Sequence, residues 1–273
     1  MSLKHQTVLL GFGSMGGALA KGWIQNKVLK PSQITAVSLD PAKRQETARQ
    51  LKVKLVTDPS PYLPKADLIL LAVKPQQLKA LLGKVGGLFP RRALVLSVAA
   101  GVTTQQIESR LPQGCPVVRV MPNTPSTLGA GMSAVAAGSR ATASDLKLAQ
   151  ALLSAVGRSV EVKESLMDLV TALSGSGPAY FFKMIEALVA AGEKGGLDGP
   201  TATLLAAQTA YGAARMVLET GKSPEALRVQ VTSPGGTTEA GLTVLDQRGF
   251  GGALEAAVQA ATQRGAELRR MNE

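Results

Sequence analysis

Val8-Leu9-Leu10-Gly11-Phe12-Gly13-Ser14-Met15-Gly16 opens the chain with a strand-like apolar run, a glycine turn and the start of a helix. This is G-x-G-x-x-G in the context that gives the motif meaning. Gly11 permits the tight turn, Gly13 lets backbone approach a pyrophosphate, and Gly16 lets helix and strand pack closely. Phe12, Ser14 and Met15 complete the turn. The N–H groups at the start of the helix then face the phosphates of a dinucleotide.

Working outward, apolar runs alternate with helical patterns. Runs at 7–10, 34–39, 67–73, 93–98 and 117–121 read as strands, with two more near 130–137 and ending near 162. Helices are expected at 14–26, 41–51, 76–88, 104–111 and 144–156. Strands apolar on both faces, alternating with helices, indicate a parallel sheet covered on both sides. From Glu164 onward the spacing is helical, with long segments at 179–194, 200–220 and 250–271. Apolar residues lie around most of the first two, so a partner surface, a second copy of the chain, is expected to cover them. The fold class is α/β: a Rossmann-type doubly wound sheet over 1–163, followed by an all-α dimerisation domain over 164–273.

Composition excludes several functions. The chain has 273 residues, a net charge of +11 and only 3% aromatic residues. The cations are scattered and stacking platforms are scarce, which argues against nucleic acid. The longest apolar runs are strand-length and no secretory signal is visible, so no membrane span and a cytoplasmic address are expected. One cysteine, Cys115, rules out an intrachain disulfide and a multi-cysteine zinc site. The single histidine, His5, lies near the terminus, which argues against a Ser-His-Asp or Cys-His mechanism and against imidazole metal sites; no metal is expected. Chemistry without imidazole favours a reaction in which a cofactor does the hard step.

Further motifs surround the glycine turn. After the second strand, Ser38 with Lys43 and Arg44 fits a 2′-phosphate and NADP, whereas Asp40 fits a ribose diol and NAD, or caps the next helix. Ala72-Val73-Lys74-Pro75 and Ser97-Val98-Ala99-Ala100-Gly101 end two more strands, the second with small residues that leave room for a flat ring. Arg119 to Pro125 forms a proline-braced polar loop around Asn123 and Thr124. Ser174-Gly175-Ser176-Gly177-Pro178 enters a long helix as an anion nest or a capped start. Val231 to Thr238 is a turn of hydroxyls and glycines whose N–H groups suit a carboxylate.

Taken together, Gly11–Gly16, Leu71–Gln76, Leu96–Gly101, Arg119–Pro125, Ser174–Tyr180 and Val231–Leu242 resemble pyrroline-5-carboxylate reductase, the last enzyme of proline biosynthesis, over nearly the whole chain. The resemblance implies hydride transfer from NADPH or NADH to the C=N carbon of 1-pyrroline-5-carboxylate. It implies an intertwined homodimer, often assembled as a decamer, in which one chain's substrate loop completes the partner's site. It places the cofactor at Gly11, Phe12, Gly13, Ser14, Met15, Gly16, Ser38, Ala72, Val73, Lys74, Pro75, Ala99 and Ala100; the motifs read above add Lys43, Arg44 and Asn123 as cofactor residues. It places the substrate at Gln230, Val231, Ser233, Gly235, Gly236, Thr237 and Thr238, with Thr238 as the catalytic residue near the ring nitrogen. Gln230 departs from the usual Asn by one methylene. The rival readings are a hydroxyacid or F420-type reductase, which needs a proton-transferring lysine such as Lys183 or Lys194, and a non-catalytic NADPH-binding redox sensor.

Overall fold

The structure, a computed structural model, describes residues 5–40, 42 and 44–272. The strands are β1 Thr7–Leu10, β2 Ile34–Val37, β3 Lys54–Val56, β4 Leu68–Leu71, β5 Leu94–Ser97, β6 Val117–Met121, β7 Gly131–Ala137 and β8 Gly157–Glu161. They form one sheet in the order β3-β2-β1-β4-β5-β6-β7-β8. The helices are α1 Ser14–Gln25, α2 Gln45–Leu51, α3 Pro75–Val85, α4 Thr104–Glu108, α5 Ala143–Leu153, α6 Met167–Val170, α7 Gly177–Lys194, α8 Gly199–Thr220, α9 Pro224–Gln230, α10 Thr237–Gln247 and α11 Phe250–Met271.

The strands are apolar throughout because each of their faces has its own core. Leu9, Leu68, Leu70, Leu94 and Leu96 point to one side, with Leu19 and Trp23 of α1 and Leu152 of α5. Val8, Leu10, Ile69, Leu71 and Val95 point to the other, against Leu78 and Leu82 of α3. The alternation of Cβ directions along a strand produces this two-sided burial. Trp23, the largest fully buried side chain, donates from Nε1 to the Leu152 carbonyl at 2.9 Å.

Three local expectations change. β7 runs antiparallel to β6, with Val118 opposite Ala137 and Met121 opposite Ala134. Only the short 3-10 turn Thr124–Leu128 lies between these strands, too little chain for a crossover, so the strand turns back. β3, with three residues beside the short helix α2, carries too little periodicity to be read from sequence. The helix expected from Pro41 begins at Gln45, so Asp40 does not cap it; Pro41 itself lies outside the described residues.

The chain divides into two compact units, Met1–Ser176 with Ala260–Glu273, and Gly177–Gln259. The sheet ends at Glu161, close to the 163/164 boundary read from sequence, and the changeover between compact units falls later. In the second unit, helices α7 and α8 leave large apolar side chains exposed. They include Phe182 at 59% and Leu204 at 68%. Apolar surface on this scale on neighbouring helices marks an association surface.

Candidate active site

The glycine turn joins β1 to α1 where the strand order reverses, with β2 on one side of β1 and β4 on the other. Such switch points open a crevice at the carboxyl ends of strands. Gly11 has φ +105°, and a Cβ there would sit 2.6 Å from the Ala72 carbonyl. A Cβ on Gly16 would strike the Gly11 carbonyl oxygen. Around a Cβ on Gly13, by contrast, nothing lies within 4 Å. Two of the glycines are thus required by the protein's own backbone, and the third faces open space.

The start of α1 matches this division. Its N-cap, Gly13, offers no side-chain cap, and its first turn holds no acid. Among the described residues, the first N–H of this helix with a backbone acceptor is that of Gly17, to the Gly13 carbonyl at 2.8 Å. The N–H groups of Ser14, Met15 and Gly16 therefore present free donors and the positive end of the helix dipole. This cradle fits a pyrophosphate. Phe12 is buried in the core and contributes backbone only; Met15 packs against the same core.

The other strand ends line up beside it. The Ala72 N–H bonds the Leu10 carbonyl at 2.8 Å, holding the end of β4 against the glycine turn. Val73 is half-buried, Lys74 is the exposed N-cap of α3, and Pro75 occupies its first turn. After β5, Ala99 is buried and Ala100 exposed. After β2, the Ser38 hydroxyl donates to the Asp40 carbonyl at 3.1 Å and accepts from its N–H at 3.2 Å. Arg44 is the N-cap of α2, and Lys43 lies outside the described residues. After β6, Asn123 is held on both sides of its amide. It donates to the Ser174 carbonyl at 3.2 Å and accepts from the Met132 N–H at 2.9 Å.

Sequence reasoning missed a hollow of about 420 Å³ lined by Leu55, Val56, Thr57, Asp58, Pro61 and Tyr62. It adjoins Ser38, whose N–H bonds the Val56 carbonyl at 3.1 Å. Its signal was hidden with β3, from which it hangs. Also missed was the role of Arg119, which is only 3% exposed and lies 3.4 Å from Glu164.

In the second unit, the hydroxyl turn Val231–Gly236 links α9 to α10. Gly235, at φ +69°, donates its N–H to Glu239 Oε2 at 2.7 Å, and the Gly236 N–H bonds the Ser233 carbonyl at 2.9 Å. Among the described residues, the first N–H of α10 with a backbone acceptor is that of Ala240. The N–H groups of Thr237, Thr238 and Glu239 are left open, and Ser233, Thr237 and Thr238 are exposed. Val231 is exposed as well, and the Gln230 amide oxygen accepts from Lys222 Nζ at 3.0 Å. The structure therefore brings the proposed substrate residues together as one turn, and sets the described ones among the proposed cofactor residues after the carboxyl ends of the strands. Lys183, one of the two candidate proton donors of the hydroxyacid reading, is paired with Glu186 at 3.3 Å on an exposed helix face, and Lys194, the other, is an exposed residue at the end of α7.

Comparison with known proteins accounts for both halves. Residues 6–101 match the family model for NADP oxidoreductase, coenzyme F420-dependent, and residues 164–268 the model for pyrroline-5-carboxylate reductase dimerisation. A pyrroline-5-carboxylate reductase from Methanosarcina acetivorans is 42% identical, covering 95% of this chain and 96% of that protein. The solved structure of a pyrroline-5-carboxylate reductase from Coxiella burnetii superposes with a TM-score of 0.90 at 38% identity, covering 97% of this chain and 99% of that one. The Plasmodium falciparum pyrroline carboxylate reductase, solved with NADP bound, gives a TM-score of 0.87 at 28% identity, with 98% and 100% covered. With the cofactor cradle, the hydroxyl turn and the dimerisation helices matched along one chain, this protein belongs to the pyrroline-5-carboxylate reductase family.

Proposed function

We propose that this protein reduces 1-pyrroline-5-carboxylate to L-proline with NADPH, the final step of proline biosynthesis. One observation carries the reading. The glycine turn and the hydroxyl turn each lead into a helix whose first three N–H groups lack a protein acceptor among the described residues, one behind Gly13 and one behind Gly236. The first suits a pyrophosphate and the second a small carboxylate.

When bound, NADPH supplies the hydride that adds to the C=N carbon. The chain's residues bind and orient. Gly11 to Gly16 hold the pyrophosphate. Ala72 to Pro75, Ala99, Ala100 and Asn123 border the rest of the dinucleotide. The hollow beside Val56 accepts the adenine, with Ser38, Lys43 and Arg44 towards the 2′-phosphate. Ser233, Gly235, Gly236 and Thr237 hold the substrate carboxylate, flanked by Gln230 and Val231. Thr238 bonds the ring nitrogen, keeping the imine aligned for attack. A protonated cyclic imine is already a strong electrophile, so alignment and exclusion of water are enough and no imidazole is needed.

The functional division follows the sequence boundary, a cofactor part over 1–163 and a substrate and dimerisation part over 164–273. The chain forms a homo-oligomer through its helical part. We assign a dimer as the working unit, in which the hydroxyl turn of one chain completes the site of its partner, with a decamer of five dimers as the larger assembly, and a cytoplasmic address. The apolar helix faces of α7 and α8 support the dimer.

The test follows reduced-nicotinamide absorbance with 1-pyrroline-5-carboxylate and each reduced cofactor. Oxidation of NADPH with formation of proline is expected, with NADH the slower donor. Turnover of a 2-hydroxy acid with NADP but none of the imine would overturn the assignment.

A further inference from the structure

The turn between β5 and α4 carries Ala99 and Ala100, and its far side is clamped at two points. The Asn272 side-chain amide, just past the end of α11, donates to the Gly101 carbonyl at 3.1 Å. Gly101 has φ +69° and is the pivot of the turn. Three residues on, Glu164 accepts from the Thr104 N–H and from the Thr104 hydroxyl, both at 2.7 Å. The second clamp belongs to a charge network that reaches the last turn of α11, three residues before Asn272. Arg119, buried in β6, lies 3.4 Å from Glu164 and 3.9 Å from Asp168. Asp168 in turn accepts from Arg269 Nε, on the last turn of α11, at 3.0 Å.

Two carboxylates and one further cation around a buried guanidinium add little net stabilisation, because desolvating them offsets most of their attraction. What such a network does well is fix geometry, since each partner has one low-energy arrangement. Here the geometry fixed is that of the Ala99–Gly101 turn. We infer that the end of α11, through Asn272 and Arg269, is a positioning device that sets the NADPH affinity of this turn. The inference rests on the reading that Ala99 and Ala100 border the cofactor. Arg269 and Asn272 touch neither substrate nor cofactor; they act through Gly101, Asp168 and the buried arginine.

The experiment measures NADPH dissociation constants by calorimetry, and steady-state kinetics, for the full-length enzyme and for Asn272→Ala, Arg269→Gln and Arg269→Lys. Loss of one such hydrogen bond corresponds to about a three- to tenfold rise in Kd and in KM for NADPH. The expected kcat stays within twofold and KM for the imine acid is unchanged. Arg269→Lys, which keeps the charge and a donor, recovers most of the affinity. A purely structural role would lower thermal stability without this split between KM and kcat. Asn272→Ala lies outside the ion network, so it decides the matter if Arg269→Gln fails to fold. Ala100→Leu serves as the control on the underlying site. Unchanged NADPH affinity in Ala100→Leu overturns the placement of the cofactor at this turn, and the inference with it. Lost affinity in Ala100→Leu with wild-type affinity in Asn272→Ala overturns the inference alone.

Discussion

The Asn123 side-chain amide donates to the Ser174 carbonyl at 3.2 Å while accepting from the Met132 N–H at 2.9 Å. One side chain thereby ties the loop after β6 to the segment that leads into α7. That segment is a π-helix over Thr171–Gly175, whose wider turn releases carbonyls from the usual ladder. Asn123→Asp keeps the acceptor for Met132 but sets a carboxylate oxygen against the Ser174 carbonyl. A loss of about 1–3 kcal/mol is expected in urea unfolding, the cost of an unmet polar contact at this partly buried position. Full stability in Asn123→Asp would show that the tie contributes nothing.

Gly13 and Gly16 should separate fold from function. A Cβ on Gly16 meets the Gly11 carbonyl oxygen, backbone that cannot step aside, whereas one on Gly13 meets nothing within 4 Å. Gly16→Ala is expected to destabilise by about 3 kcal/mol or more, as overpacking against backbone does. Gly13→Ala is expected to fold within about 0.5 kcal/mol of the parent. Its KM for NADPH should nonetheless rise about tenfold, a loss near 1.4 kcal/mol of binding. Equal melting temperatures for the two variants would contradict this.

Thr238 stands at the second position of α10, exposed. Thr238→Ala should lower kcat about ten- to a hundredfold, the worth of one hydrogen bond to a charged group. NADPH affinity should be preserved. Thr238→Ser, which keeps the hydroxyl, should restore most of the turnover. Wild-type kcat in Thr238→Ala removes the assigned role.

Glu239 holds the hydroxyl turn in shape through the Gly235 N–H, at 2.7 Å. Glu239→Gln retains an oxygen for that N–H, and Glu239→Ala does not. KM for 1-pyrroline-5-carboxylate should rise about three- to tenfold in Glu239→Ala, the scale of one lost hydrogen bond, and far less in Glu239→Gln. KM for NADPH should stay constant in both. A matching rise in the NADPH value would place the effect in global stability instead.

Asp198 caps α8, and the Thr201 N–H and hydroxyl hold its carboxyl below the ordinary value. A group whose pKa is lowered by folding contributes stability above its unfolded pKa and loses it as pH falls through the folded value. Asp198 therefore supports the fold at neutral pH, and that support begins to fade as pH falls below about 4, the usual aspartate range, and is lost through the lower folded value. Asp198→Asn removes the titration while retaining a capping oxygen. Urea midpoints at a series of pH values should fall less steeply on the acid side in this variant than in the parent. An unchanged acid slope would refute the contribution.

How much was legible in the sequence depends on the range of the signal. β1 and β6 were read to the residue, because four or five consecutive apolar residues bounded by turn chemistry have few other readings. Gly221 stops α8 in the left-handed conformation, as its position after a long helical run foretold. The hydroxyl turn was visible because a proline and two glycines between two pairs of hydroxyl residues leave little else for the backbone to do.

By itself, the local sequence determined the alternation of strands and helices, the glycine cradle, the hydroxyl turn and the need for a partner over α7 and α8. Each is a property of neighbours along the chain, where steric limits and periodic apolarity act within a turn or two. Tertiary structure alone decided that β7 reverses, that a hollow opens beside β3, and that Arg119 meets Glu164 and Asp168 while Asn272 reaches Gly101. Those contacts join residues 45 to 171 positions apart, and only the packing of the whole sheet brings such distant side chains within bonding reach.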